Sequence, residues 1–214
     1  MPHDPFRRAG DPRAGDPRAG NPRAGHAGGR RVYLAGPDVF LPDPVARGAA
    51  LKEVCARHGL SGVFPLDPLE VEPPGWAALA AWERIALRNE AHIRSCDALI
   101  ANLTPFRGPS ADAGTVFELG FMRALQRPVF GWSNTSVRFE PRTRAALNRP
   151  HGRDADGLAI ESFGCVDNLM IDGAIRASGG TLVVADHEGP ARWAALEAFE
   201  ACALACARVL EPTA

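Results

Sequence analysis

The chain has 214 residues, of which 46% are hydrophobic and 23% charged, and its formal net charge is −1. One substantial core fits that length, so a single domain is the default. Near-neutral charge gives no general electrostatic reason to expect nucleic acid or an anionic membrane as partner, and the lack of any run of about 18 apolar residues argues against a spanning helix.

The amino terminus is polar and rich in proline and glycine, unlike a secretory signal peptide. Five scattered cysteines (Cys55, Cys96, Cys165, Cys202 and Cys206) read as small buried hydrophobes in a reducing compartment, which points to the cytoplasm. The closely spaced Cys/His pairs that a zinc site needs are missing.

Residues 1 to about 30 form a tail in which the unit Asp/Asn-Pro-Arg-Ala-Gly recurs at 11–15, 16–20 and 21–25. The unit has no apolar residue larger than alanine and cannot bury a face, so it reads as disordered. A nucleic-acid-binding arm is disfavoured, because its arginines alternate with aspartates and lack aromatic neighbours. The folded domain is assigned to residues 31–214.

Val32 to Ala35 is a short buried strand, stopped by Gly36 and Pro37. Residues 44–58 read as a helix with Val45, Ala49, Leu51, Val54 and Cys55 as its apolar positions, closed by Gly59. A second strand covers 60–64, and a proline-rich loop covers 69–75. The pattern of 77–95 predicts a helix in which Ala78, Trp82, Ile85, Asn89 and Ile93 share one face. Asn89 is the polar member of that stripe, readable as a satisfied core amide or as a group aimed at a ligand.

Residues 97–103 are apolar at nearly every position, as in a central parallel strand. The loop from Arg107 to Gly120 follows and runs into a helix over 116–125. Residues 128–132 are a fourth strand, and 135–157 are a poorly patterned excursion. A helix over 165–178, a strand over 181–185 and a helix over 191–210 complete the chain. Alternating strands and helices imply βαβ units. The simplest architecture is α/β: a flavodoxin-like doubly wound three-layer sandwich with a parallel sheet of about five strands, its switch point between the first and third.

Neither a G-x-G-x-x-G fingerprint nor a Walker-type lysine loop is present, and neither is a G-x-S-x-G element. What remains at the predicted strand ends is a set of carboxylates and amides: Asp38, Asp67, Asn89, Asn102, Asp112 and Glu118. Glu118 has two readings. With Thr115 it fits a capping box, reaching back to the helix start. Alternatively, the helix dipole lowers its pKa and keeps it ionised for attack on an anomeric carbon, with Asp112 as the acid that protonates a leaving group.

Four pieces, in order, carry a family resemblance: Val32 to Phe40, Asp97 to Gly108, Asp112 to Gly120, and Phe163 to Met170. In these pieces the chain resembles the nucleoside 2-deoxyribosyltransferase family. The resemblance implies that Glu118 attacks C1′ of a 2′-deoxynucleoside and holds a covalent deoxyribosyl intermediate, which a second nucleobase then resolves. Asp112 matches the family's acid for the base, and Tyr33 a tyrosine that positions the nucleophile. Gly36, Asp38, Phe40, Asn89, Asn102 and Gly114 are taken as substrate-binding.

Asn168 and Met170 match residues that complete a neighbouring subunit's pocket, implying a homo-oligomer that is dimer-based, with a hexamer as one form. Expected partners are 2′-deoxynucleosides and free nucleobases, with no cofactor and no metal. Departures from the family are the excursion at 135–157 and a carboxyl terminus lacking the terminal tyrosine of some members.

The nearest rival reading is an N-glycosidase that hydrolyses deoxynucleosides or their 5′-monophosphates. Asp38 after the first strand is expected to repel phosphate. A silent nucleoside-binding domain could dispense with Glu118 or Asp112, and both are present.

Overall fold

The structure is a computed structural model that describes residues 30–149 and 151–211. The repeat tail, Pro150 and the last three residues lie outside the described residues, except that Arg30 opens the first strand.

Five parallel strands form the sheet: β1 (Arg30–Ala35), β2 (Leu60–Val63), β3 (Ala98–Asn102), β4 (Val129–Ser133) and β5 (Leu182–Val184). Their order is β2-β1-β3-β4-β5, the flavodoxin-like arrangement read from the sequence. β1 pairs with β3 in the register Tyr33↔Leu99 and Ala35↔Ala101. The chain reverses its winding direction between these two strands, which opens a crevice at their carboxyl ends.

Side chains alternate across the sheet, and this parity sorts everything that follows. Val32, Leu34, Ala98 and Ile100 point to one face, where α1 (Pro44–Arg57) and α7 (Glu197–Val209) cover them. Tyr33, Ala35, Leu99 and Ala101 point to the other, under α2 (Ala81–Ser95), α3 (Ala113–Ala124) and α5 (Leu169–Ala177). Fully buried Trp132, Phe130 and Phe199 fill the first face.

Several predicted elements are corrected. The second long helix starts at Ala81 rather than 77, because residues 76–78 make a separate 3-10 turn after Gly75, whose φ of 82° is left-handed. The apolar stripe of α2 is buried only at its carboxyl end: Ile93 is 0% exposed, but Trp82 is 67% and Ile85 50% exposed. The excursion at 135–157 contains a helix, α4 (Phe139–Ala146), which is mostly polar and has no buried residue, so it lacked an apolar signature. The helix assigned to 165–178 begins at Leu169, with Asn168 as its N-cap. The last predicted helix is two, α6 (Ala191–Ala194) and α7, broken where Ala195 turns extended.

Candidate active site at the switch point

Tyr33 has the parity that points it towards α3. Its hydroxyl, inside a fully buried side chain, donates to Oε1 of Glu118 at 2.7 Å. From α2, the Nδ2 of Asn89 donates to the same oxygen at 3.1 Å. Glu118 is 9% exposed. Its Oε2 makes no hydrogen bond among the described residues. The Oδ1 of Asn89 is buried without a partner among the described residues.

Burial pushes the Glu118 carboxyl up to about 7, against the lowering effect of the Tyr33 and Asn89 hydrogen bonds; the charge of Asp112 adds to the rise. This reverses the expectation that the helix dipole would lower it. α3 starts at Ala113, so Glu118 lies beyond the first turn, where the dipole's influence fades and desolvation wins. Burial and the Glu118 carboxylate likewise drive the Tyr33 hydroxyl far above its ordinary range, so it stays a donor.

The capping-box reading of Glu118 is overturned. Asp112 caps α3: its Oδ2 accepts from the Thr115 amide at 3.0 Å and from the Thr115 hydroxyl at 3.1 Å. Thr115 therefore lies inside the helix, and Glu118 is free to turn to the sheet. Oδ1 of Asp112 has no partner among the described residues. A Cβ at Gly114 would stand 3.0 Å from Asp112 Oδ2, so this glycine leaves room for the cap.

Asp38 and Asn102 belong to a second cluster on the opposite face. Asp38 is 2% exposed; its Oδ1 accepts from Arg47 Nε of α1 at 2.8 Å and its Oδ2 from Asn102 Nδ2 at 2.8 Å. Asn102 Oδ1 in turn accepts from the Thr104 amide at 3.0 Å. A Cβ at Gly36 would come within 2.5 Å of Asp38 Oδ2 and 2.8 Å of Asn102 Cβ, so only glycine fits there. Gly36, Asp38 and Asn102 are thus occupied with one another.

Arg47 pairs with Asp38, so this acid is not the bare charge after β1 that the sequence suggests. Arg47 was missed because its partner lies nine residues away on another element. Asp67, also on the sequence list, closes the turn after β2 by accepting from the Phe64 amide, and pairs with Lys52.

Phe40 is 55% exposed and stacks on Phe106, ring centroids 5.3 Å apart. Phe106 meets Trp193 edge-on, and the Arg107 guanidinium lies over both phenyl rings. Arg107 adopts a left-handed φ of 54°. Asn168 and Met170 make no hydrogen bond to Glu118. Asn168 caps α5 and donates to Glu161 at 2.8 Å, while Met170 is 70% exposed. Among the described residues no cluster of three or more His, Cys, Asp or Glu could hold a metal ion. No helix among them is long and apolar enough to cross a membrane.

The chain is an α/β protein with a flavodoxin-like sheet and a buried carboxylate, bonded by neutral donors, at its switch point, the edge where sheets of this kind generally take ligands. The chain belongs to the nucleoside 2-deoxyribosyltransferase family, whose model matches residues 32–170. It is 35% identical over 170 residues to an uncharacterised protein of Schizosaccharomyces pombe, covering 72% of this chain and 80% of that one.

Among solved structures, a 2-desoxiribosyltransferase from Leishmania mexicana is 32% identical with a TM-score of 0.51, the match covering 66% of this chain and 85% of that one. A conserved protein from Enterococcus faecalis is 24% identical with a TM-score of 0.47, over 73% of this chain and 92% of that one. Family membership makes the chain an enzyme of the nucleoside deoxyribosyltransferase and related N-glycosidase group.

Proposed function

We propose that the chain transfers 2-deoxyribose between nucleobases through a covalent intermediate on Glu118. One observation carries the reading: a nearly buried carboxylate accepts from two neutral donors on one oxygen, while the other has no hydrogen-bond partner among the described residues. Oε2 attacks C1′ of a 2′-deoxynucleoside; the C1′–O bond forms as the C1′–N bond breaks, and the base leaves with a proton supplied by Asp112. An incoming base then attacks C1′ from the vacated face, returns its proton to Asp112 and frees the carboxylate, giving net retention.

Tyr33 and Asn89 both donate to the same carboxylate oxygen and so orient Glu118. Phe40, on the rim, offers a stacking surface for a base. No cofactor is needed for these steps. Nucleosides are preferred to nucleotides, because the segment after β1 has no serine- or arginine-rich loop.

The bare stripe of Trp82 and Ile85, with Phe117 at 61% and Met170 at 70% exposure, supports burial against a second copy. In that homo-oligomer Asn168 and Met170 would complete the neighbour's pocket. Salvage of deoxynucleosides in the cytoplasm is the matching role.

The test is to incubate the protein with deoxyinosine and adenine and to separate the products. Deoxyadenosine and hypoxanthine are expected. Hypoxanthine with free deoxyribose, for every acceptor base tried, would sink transfer in favour of hydrolysis.

A further inference from the structure

Asp167 is 0% exposed and sits immediately before the Asn168 cap of α5. Its two oxygens are saturated by four donors. Oδ1 accepts from the Ser110 hydroxyl and from the Asn168 amide at 2.8 Å. Oδ2 accepts from the Ala111 amide at 3.0 Å and from Arg142 Nη2 at 3.2 Å. Arg142 belongs to α4, and its Nε reaches one residue further back, to the Pro109 carbonyl at 2.7 Å.

Three consecutive residues, 109 to 111, are therefore tied to one buried ion pair, and the next residue is Asp112. Asp112 Oδ2 is itself fixed by Thr115, so the loop end and the cap together leave its Oδ1 little freedom. The anchor does not float either: the amides of Val166 and Asp167 donate to Asp172 of α5, both at 3.0 Å.

We infer that the Asp167–Arg142 pair is a clamp that positions the Asp112 loop and, through the Asn168 amide, the segment meant for a neighbouring subunit. The inference rests on the transfer reading above. It gives the excursion at 135–157 a purpose, delivery of Arg142 to the back of the site loop. Asp167 and Arg142 are positioning residues; neither hydrogen-bonds to Glu118. A buried ion pair alone is weak evidence for stability, but here three of its bonds converge on the loop that ends at one acid.

The clamp is tested by making the acid dispensable. Deoxyinosine needs its base protonated as it leaves, whereas a 2-deoxyriboside of 4-nitrophenol releases a stable anion. In the full chain, Asp167→Asn is expected to lower kcat on deoxyinosine by on the order of thirtyfold, with KM within about threefold and the nitrophenyl donor nearly unaffected. Ser110→Ala, a milder change that keeps the ion pair, is expected to show the same selectivity at about fivefold, and it carries the test should Asp167→Asn fail to fold. Equal losses on both donors, or no loss, would overturn the clamp.

Amide exchange reads the clamp without activity: the Ala111 amide, which donates to Asp167, should exchange about tenfold faster in Asp167→Asn, and α3 beyond Glu118 should not. Unchanged exchange overturns it. If the wild type transfers nothing and Glu118→Ala changes nothing, the transfer reading has failed, while exchange still decides the clamp.

Discussion

Two carboxylates are buried at the same edge of one sheet, on opposite faces, and they are held in opposite ways. Asp38 receives a guanidinium on one oxygen and an amide on the other, so its charge is matched and its lone pairs are used. Glu118 receives only neutral donors, both on one oxygen, and burial raises its pKa. The first arrangement stabilises a turn; the second leaves a desolvated carboxyl whose charge no cation matches among the described residues. Strand parity separates them, since Tyr33 and Asn102 point to opposite faces. An acid at a promising strand end is therefore not by itself a chemical group; its partners decide.

The largest expected effect breaks the comparison from the Glu118 side. Glu118→Ala should lower kcat/KM by about a thousandfold or more, about 4 kcal/mol, with the fold retained. Stability should move in a pH-dependent way. Between pH 4.5 and about 7 the folded chain holds a proton on Glu118 that the unfolded chain has released. Wild-type stability therefore falls as pH rises through that window and levels off above it. Glu118→Gln, followed by denaturant titration across the window, should flatten this slope. A Glu118 variant that kept its activity would remove the nucleophile.

Asp38→Ala tests the other side. It leaves Arg47 buried and unpaired on that flank and frees the Asn102 amide, so a loss of about 3–5 kcal/mol in stability is expected, read as a lowered unfolding midpoint. At temperatures where the variant is folded, kcat should stay within about tenfold of wild type. A large loss of kcat in a fully folded Asp38→Asn variant would return this acid to the substrate site.

Asp112 sits between the two cases, with one oxygen capping a helix and the other free. Asp112→Asn retains a good cap but loses the carboxyl that passes a proton to and from the base, so stability should hold while kcat on deoxyinosine falls by about a hundredfold. Asp112→Ala should add a cap loss of about 1 kcal/mol to that. If the asparagine variant keeps full activity, Asp112 is a cap and nothing more.

The fold was legible because the strands are short apolar runs bounded by glycine and proline, and alternation with helices leaves few topologies. Tyr33, Asp112 and Glu118 could be named from the motifs that carry the resemblance. Their physical roles could not, because Thr115 with Glu118 fits a capping pattern as well as Asp112 with Thr115 does. Two adjacent starts for α3 compete on sequence, and only burial of Glu118 against Tyr33 decides between them. Arg47, Arg142 and Asp167 had no local signal, since each acts across a fold contact distant in sequence. The exposed half of α2 was misread for a related reason: periodicity marks an apolar face without saying whether the same chain covers it.

The smallest predicted effect is the sharpest test of how Glu118 is held. The Tyr33 hydroxyl bonds to the charged form of Glu118 and lowers its pKa against the pull of burial. Tyr33→Phe removes that bond without opening a cavity, so the carboxyl should titrate about one unit higher, given about 1.5 kcal/mol for a hydrogen bond to a charge. If attack requires the ionised carboxylate, kcat/KM rises with pH through the Glu118 pKa, near 7 in the wild type. The rising limb should shift upward in Tyr33→Phe. In Asp112→Asn the loss of a neighbouring negative charge should move it downward. Opposite shifts from two conservative changes cannot come from general destabilisation. If both variants kept the wild-type limb, the group titrating in the profile would not be Glu118, and the contrast with Asp38 would lose its chemical meaning.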